Sequence, residues 1–171
     1  MPRHWLLAFV ALSFALLAQE AKLAPGTVEL SFQTQAYRGK YSPRHVLAIW
    51  VVGAKDQHVK TLAIYGKKYA KRLGRWRKAT GKKRPDAVTG ATRRKHEPLA
   101  VVWDGTDKDG KIAPDGDYKI RLEYTETNRS GPAFQVEIKK GGTASTKQVE
   151  GNKFFKDVTL RQAGKRQKEK N

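Results

Sequence analysis

One heptapeptide combines residue types that could carry group-transfer chemistry: Asp86-Ala87-Val88-Thr89-Gly90-Ala91-Thr92. Its last residue brings a hydroxyl group, which is a nucleophile once its proton is removed. The glycine and alanine before that threonine have too little side chain to obstruct an approaching molecule. Three cations that could neutralise a phosphate group follow at once: Arg93, Arg94 and Lys95. A plain β-turn, in which Asp86 and Thr89 cap local amides, is the structural alternative.

The heptapeptide fits the acceptor pattern Asp-x-x-[Ser/Thr]-Gly-Ala-Thr at each specified position, namely Asp86, Thr89, Gly90, Ala91 and Thr92. This pattern resembles the site at which a periplasmic flavin transferase attaches FMN to the last threonine through a phosphoester. From average residue usage, a chance match in a chain of this size is on the order of one in a few thousand. The resemblance therefore implies covalent FMN on Thr92, with Arg93 and Arg94 beside its phosphate and a flavin transferase as a partner.

Other redox and catalytic chemistries find no support in the sequence. The chain has no cysteine, which removes iron–sulfur clusters, c-type haem attachment, thiol redox chemistry and cysteine zinc sites. It also has no Gly-x-Ser-x-Gly elbow, His-Glu-x-x-His zinc motif or Walker loop. We therefore expect no catalytic residues and a protein that is not an enzyme by itself. A redox role would need an added cofactor.

Two sets of residues resemble metal ligands, and neither predicts a metal site. Three histidines are far apart in sequence and could converge on a metal, although ordinary surface or strand positions are the preferred interpretation: His45, His58 and His96. Three aspartates precede Gly110 as in a calcium loop: Asp104, Asp107 and Asp109. Aligning a calcium loop on that glycine puts Gly116 where a bidentate glutamate is needed. We therefore predict a hairpin turn at the aspartates.

The chain is strongly basic, with 35 lysines and arginines against 16 aspartates and glutamates and a net charge of +19. Such a charge favours anionic partners. It is densest from Lys67 to Arg84, which could grip phosphates or an anionic membrane surface, although a merely solvated helix face explains the charge equally well. Few aromatic residues are interleaved (Tyr69 and Trp76), so we do not expect nucleic acid as a partner.

The N-terminus has the organisation of a signal peptide. Arg3 and His4 form a short basic region, and an apolar run extends from Leu6 to Ala18, with a cleavage point before Gln19. The run is too short to cross a bilayer comfortably, although an uncleaved anchor is the alternative. We therefore predict an exported, periplasmic protein in which residues 1–18 are removed and residues 19–26 form a linker.

Apolar patterning beyond the linker predicts a protein made mainly of β-strands. Polar and apolar residues alternate over 27–34, which is typical of a strand with one buried face. The apolar run over 45–52 predicts a strand buried on both faces, with 59–65 as its hairpin partner. Further strands are predicted at 99–103, 117–127, 134–138 and 154–160. About seven short antiparallel strands indicate an immunoglobulin-like β-sandwich over residues 27–163.

Two segments depart from the β pattern. Tyr69, Leu73 and Trp76 have the spacing of one helix face, which predicts a short basic helix over Lys67 to Lys78. Gly74 weakens that helix by about 1 kcal/mol relative to alanine, so the helix depends on tertiary packing. Residues 164–171 contain no apolar side chain and are predicted to form a disordered basic tail.

Three stretches together resemble a known family: Tyr37-Arg-Gly-Lys-Tyr-Ser-Pro-Arg-His-Val46, the heptapeptide Asp86 to Thr92, and Val102-Trp-Asp-Gly-Thr-Asp-Lys-Asp-Gly110. They look like the predicted periplasmic proteins of the domain-of-unknown-function family 2271, over roughly residues 28–160. The Trp103 to Tyr118 hairpin is also similar to the immunoglobulin-like module of flagellar hook-capping proteins. The family resemblance implies a part in periplasmic electron transfer, with a membrane electron-transfer protein as a partner.

These observations favour a periplasmic redox accessory protein that carries covalently attached FMN. Two other functions stay open from the sequence. One is a non-catalytic interaction or assembly module, including a hook-cap-like one. The other is a binder of polyanions or of an anionic membrane surface.

Overall fold

The computed structural model describes residues 23–81 and 87–165, which fold into two packed β-sheets. The strands are β1 (Val28–Thr34), β2 (Val46–Gly53), β3 (His58–Tyr65), β4 (Val88–Gly90), β5 (Leu99–Trp103), β6 (Gly116–Thr125), β7 (Ala133–Lys140), β8 (Ser145–Val149) and β9 (Phe155–Gln162). One sheet has the order β5-β1-β9-β8, and the other has the order β4-β3-β2-β6-β7. The β-sandwich predicted from the sequence is confirmed.

The main core lies between the two sheets and is built from the inward face of each strand. Three side chains of β1 are buried while the residues between them are partly exposed: Val28, Leu30 and Phe32. This is the alternation of a strand with one face on the core. Trp103 is fully buried, with its ring centre 4.9 Å from that of Tyr118. Trp50 is buried as well.

The buried outer face of β2 is covered by a helical layer, which differs from the single predicted helix. The layer consists of a 3₁₀ helix, Lys67–Arg72, and an α-helix, α1 (Gly74–Thr80), which are separated at Leu73. Leu73 has non-helical dihedral angles (φ −88°, ψ 83°) and is fully buried in a second apolar cluster with Trp50. Packing of this leucine against the sheet therefore interrupts the helix that the periodicity predicts.

A buried carboxylate fixes the start of α1. Leu73, the N-cap residue, makes no side-chain hydrogen bond to the helix. Instead, Glu123 on β6 accepts the backbone N–H of Trp76 at 3.0 Å, and its other oxygen lies 3.5 Å from the guanidinium of Arg75. Burial raises the pKa of Glu123 above its ordinary value. A partner on the sheet thus supplies the cap that the helix sequence lacks.

Two strands were not predicted. β8 has four exposed residues and lacks apolar alternation, and its backbone pairs with β9. β4 lies within the acceptor heptapeptide and pairs in parallel with β3, although only antiparallel strands were predicted. Pairing with a neighbouring strand, rather than side-chain pattern, defines both elements.

The predicted hairpin turn at the aspartates is confirmed. Asp107 Oδ1 accepts the backbone N–H groups of Asp109 and Lys111, both at 2.9 Å, and Thr106 forms a β-bridge with Ile112. Within residues 23–81 and 87–165, no group of three or more His, Cys, Asp or Glu side chains could hold a metal ion.

The loops collect at two ends of the sandwich. Backbone hydrogen bonds join loops at one end: Gln35 N–H to Phe154 O, Tyr41 N–H to Glu126 O, and His45 N–H to Arg93 O. We call this the acceptor end, which comprises residues 35–45, 66–73, 91–98, 126–132 and 150–154. The opposite end contains residues 53–57 and 104–115.

Several predicted segments lie outside the described residues: the signal peptide (1–18), part of the linker (19–22), Asp86 of the heptapeptide, and 166–171 of the tail. The first two tail residues do have partners, since Gly164 O accepts the Gly26 N–H at 2.9 Å and Lys165 pairs with Asp115 at 3.2 Å. In the part of the chain that the structure describes, no helix is long and apolar enough to cross a membrane.

Candidate cofactor-attachment site

The backbone of the acceptor heptapeptide is held on both sides of its last threonine. Before Thr92, β4 pairs with the end of β3, and the Gly66 N–H donates to Gly90 O at 2.9 Å. After Thr92, Arg93 and His45 exchange backbone hydrogen bonds of 3.0 and 3.1 Å. The position of Thr92 at the acceptor end is therefore fixed by strand pairing and by this bridge.

The Thr92 hydroxyl lies against Gly66 and is free of hydrogen bonds to the residues that the structure describes. Thr92 itself is partly buried. A Cβ on Gly66 would be 3.0 Å from Thr92 Oγ1 and 3.3 Å from the side chain of Val46. Gly66 also has φ 85°, which favours glycine. Glycine at position 66 thus leaves this side of the hydroxyl uncrowded.

An aromatic ring lies beside the same backbone. A Cβ on Gly90 would be 2.8 Å from the Tyr65 ring, so glycine allows the ring to approach this closely. The Arg93 guanidinium lies 5.3 Å from the centre of that ring, within cation–π range, and donates to Glu97 O at 3.3 Å. Tyr65 and Arg93 line an open pocket of about 450 Å³, together with Ala91, Arg94, Lys95 and Glu97.

The pocket carries excess positive charge. Arg94 and Lys95 are exposed, and neither forms an ion pair with a described residue. Glu97 is the acidic residue among those that line the pocket. An anion beside Thr92 would therefore meet a net attractive potential. Of the predicted cofactor-binding residues, Ala91, Arg93 and Arg94 line this pocket, whereas Gly90 and Thr92 are their chain neighbours and are not among its lining residues. Thr89 is exposed on β4.

A buried polar cluster at the same end was not predicted from the sequence. The rings of His45 and His96 stack with centres 4.1 Å apart. His96 Nδ1 lies 2.7 Å from Thr34 Oγ1, and His96 Nε2 lies 2.8 Å from Glu126 Oε1. Glu126 Oε2 accepts the Gly39 N–H at 2.8 Å. No sequence signal could have found the cluster, because its members come from four segments that only the fold brings together.

The cluster has the carboxylate–imidazole–hydroxyl order of a hydrolytic triad but not its accessibility. Thr34 is 3 % exposed and Glu126 is fully buried, so a substrate has no access to the hydroxyl. His58 lies apart from the other two histidines, with Nε2 2.9 Å from Thr61 Oγ1. Two of the three histidines thus converge on a carboxylate and a hydroxyl, and their arrangement ties the loops of the acceptor end together.

The buried histidine predicts a pH-dependent stability. Burial lowers the pKa of His45 from 6.5 to about 4, and the nearby charges of His96 and Arg93 act in the same direction. Between pH 4 and pH 6.5 the unfolded chain binds a proton at His45 that the folded chain does not bind. The contribution of His45 to the free energy of unfolding is therefore complete above pH 6.5 and is lost as the pH falls towards 4. We expect this group to remove about 3 kcal/mol from the free energy of unfolding over that range.

Urea unfolding at pH 7 and at pH 4 gives the loss in the free energy of unfolding on acidification. The effect of His45 is the difference in that loss between wild type and His45→Gln. The variant should lose less stability than wild type on acidification, because glutamine does not titrate. His58→Gln, at a histidine outside the cluster, should retain the wild-type drop. Equal pH dependence in wild type and His45→Gln would refute the assignment to His45.

A larger cavity of about 850 Å³ lies beside α1, away from the heptapeptide. Trp50, Arg75 and Arg121 are among its lining residues. The indole nitrogen of Trp50 is buried and has no hydrogen-bond partner among the described residues. None of the residues that line this cavity belongs to the heptapeptide, so it is separate from the candidate attachment site.

Comparison with known proteins agrees with the sequence resemblance. A family model described as "Predicted periplasmic protein (DUF2271)" matches residues 25–157. No curated protein and no solved structure matches the chain. The matched range includes the heptapeptide and all strands except the last part of β9. Because this match covers well over half of the chain, the protein belongs to DUF2271, a family of predicted periplasmic proteins.

Proposed function

We propose that this protein carries FMN, joined to Thr92 through a phosphoester, and serves as a redox accessory protein in periplasmic electron transfer. The observation that carries the proposal is the state of the Thr92 hydroxyl. It makes no hydrogen bond to a described residue, and its chain neighbours Ala91 and Arg93 line a pocket rich in positive charge. A hydroxyl without a competing partner, followed in the chain by three cations, suits transfer to a phosphate.

The residues around Thr92 suit both parts of FMN. Arg94 and Lys95 are exposed cations that would hold the phosphate. The Tyr65 ring offers an aromatic surface for the isoalloxazine, and the pocket of about 450 Å³ is of the size typical for small-molecule sites. FMN would supply reversible uptake of electrons, which no side chain of this cysteine-free protein offers.

The proposal implies export and two protein partners. Membership of a family of predicted periplasmic proteins supports export, and we propose cleavage of residues 1–18 before Gln19. A flavin transferase would need to reach Thr92 at the acceptor end, where the neighbouring Ala91, Arg94 and Lys95 are exposed. A membrane electron-transfer protein would then exchange electrons with the bound flavin.

Co-expression with a periplasmic flavin transferase tests the proposal. Protein recovered from the periplasmic fraction should give a fluorescent band after denaturation. Its intact mass should equal the chain from Gln19 plus FMN less one water, because the ester forms by formal loss of water. An established transferase substrate, expressed in parallel, is the control for transferase activity.

Each readout separates one part of the proposal. A dark band beside a labelled control substrate would refute the FMN assignment and favour the non-catalytic interaction module. A chain that is labelled but keeps residues 1–18 would refute only the proposed cleavage before Gln19 and would leave the FMN assignment in place.

A further inference from the structure

Basic and aromatic side chains interleave on one surface of the acceptor end. The Arg72 guanidinium lies 5.0 Å from the centre of the Tyr41 ring and 4.5 Å from that of Tyr69. Two lysines approach the same rings: Lys40 at 5.8 Å from Tyr41 and Lys68 at 5.9 Å from Tyr69. Residues 38–44 and the 3₁₀ helix Lys67–Arg72 therefore form one surface, which we call the basic face.

Local structure turns the cations of the basic face outwards. In the 3₁₀ helix, Ala70 is buried against the sheet while Lys67, Lys68 and Lys71 are exposed. The apolar side of the short helix is thus used for packing, and the charged side is left to solvent. Tyr41 and Tyr69 are partly exposed between these cations.

The charge of the basic face is not neutralised within the described part of the protein. Neither 38–44 nor 67–72 contains an acidic residue, and none of their lysines and arginines forms an ion pair with a described residue. Elsewhere lysines do find carboxylates: Lys60 with Asp104, Lys119 with Asp56, and Lys140 with Asp115. The acceptor end therefore carries an uncompensated positive surface that an anionic partner would offset.

We propose that the basic face binds the anionic phospholipid headgroups of a membrane surface. Clustered lysines and arginines are attracted by such a surface, and tyrosine rings settle at the headgroup level with an apolar body and a polar tip. Single-stranded nucleic acid fits less well, because the two rings share the Arg72 guanidinium, which already occupies part of the aromatic surface on which bases would stack. This inference goes beyond the proposed function and does not rest on FMN attachment.

The basic face adjoins the candidate attachment site. Gly66, which lies against Thr92 Oγ1, directly precedes the first lysine of the 3₁₀ helix. A membrane held by the basic face would therefore lie on the same end of the sandwich as Thr92.

Vesicle sedimentation with two charge-matched variants tests the proposal. In the first variant, exposed lysines of the basic face become glutamine: Lys40, Lys67, Lys68 and Lys71. In the control, exposed lysines outside the basic face become glutamine: Lys55, Lys111, Lys139 and Lys147. Both variants keep the same N-terminus and the same net charge, so their difference reports on position alone.

Wild type and the control should bind vesicles that contain phosphatidylglycerol. The basic-face variant should bind them about a thousandfold more weakly, since each of its four replaced lysines would be worth about 1 kcal/mol near an anionic surface. Binding of wild type should fall steeply above about 0.1 M salt as the surface charge is screened. Equal weakening in both variants, or equal binding of wild type to pure phosphatidylcholine, would overturn the proposal.

Tryptophan quenching by brominated lipid distinguishes contact with a bilayer from attraction to any polyanion. Tyr69→Trp should show quenching beyond that of wild type. Ile112→Trp, at a position that is 62 % exposed at the opposite end, should show no quenching beyond that of wild type. No added quenching in Tyr69→Trp, or displacement of wild type from vesicles by a short DNA duplex at equal phosphate concentration, would overturn lipid as the partner.

Discussion

The Thr92→Val protein is expected to stay unlabelled when it is co-expressed with a flavin transferase, while the wild-type band fluoresces and gains the mass of FMN less water. Valine replaces the hydroxyl by a methyl group and keeps the branched shape of the side chain. Packing against Gly66 is therefore retained while the nucleophile is lost. The expected loss is complete, and in-gel fluorescence and intact mass both measure it.

Two further variants control this experiment. Thr92→Ser keeps a hydroxyl at the same position and should be labelled. Thr89→Val, on the exposed side of β4, should be labelled more weakly, because it alters the motif that the transferase recognises and leaves the acceptor in place. A Thr92→Val protein that still gained the mass of FMN would assign the attachment to another residue.

Glu126→Ala is expected to lower the free energy of unfolding by about 3–5 kcal/mol, the cost of breaking a buried polar network at its central carboxylate. Glu126 is fully buried, and its oxygens accept the Tyr37 and Gly39 N–H groups at 3.3 and 2.8 Å and contact His96 at 2.8 Å. Alanine would leave two part-buried backbone donors and the Nε2 atom of His96 without their partners, and limited access of water makes each loss costly. Urea denaturation followed by tryptophan fluorescence measures the loss.

Glu97→Ala is the matched control, because it removes an exposed carboxylate from the same end of the sandwich and should change stability by less than about 0.5 kcal/mol. Glu126→Gln should cost less than Glu126→Ala. Its amide oxygen can still accept a backbone N–H, and its NH₂ can donate to His96 if the imidazole changes tautomer. If Glu126→Ala were as stable as Glu97→Ala, the cluster would not support the loops.

The strands that the sequence predicted are those whose side chains carry a strong pattern. Alternation in β1 and β6, and the apolar run of β2, directly reflect which faces are buried. The elements that were missed, β4 and β8, are short, and β8 is almost entirely exposed. Their backbones pair with neighbouring strands, and backbone pairing does not require the alternating side-chain pattern from which strands are predicted. The break at Leu73 has the same origin, since packing against the sheet overrides local helical spacing.

At the acceptor end, three features follow from the sequence alone: the heptapeptide that ends at Thr92, the cations after it, and the family to which the chain belongs. These depend on residues that are consecutive in the chain, or on similarity along it. Three other features are visible only in the folded chain. Tyr65 and Gly66 lie against the heptapeptide, and Tyr41 and Tyr69 flank Arg72. The third is the buried cluster of Thr34, His45, His96 and Glu126. Each of these contacts joins segments that are distant in the chain, and strand pairing and burial bring such segments together without a signal in the local sequence pattern.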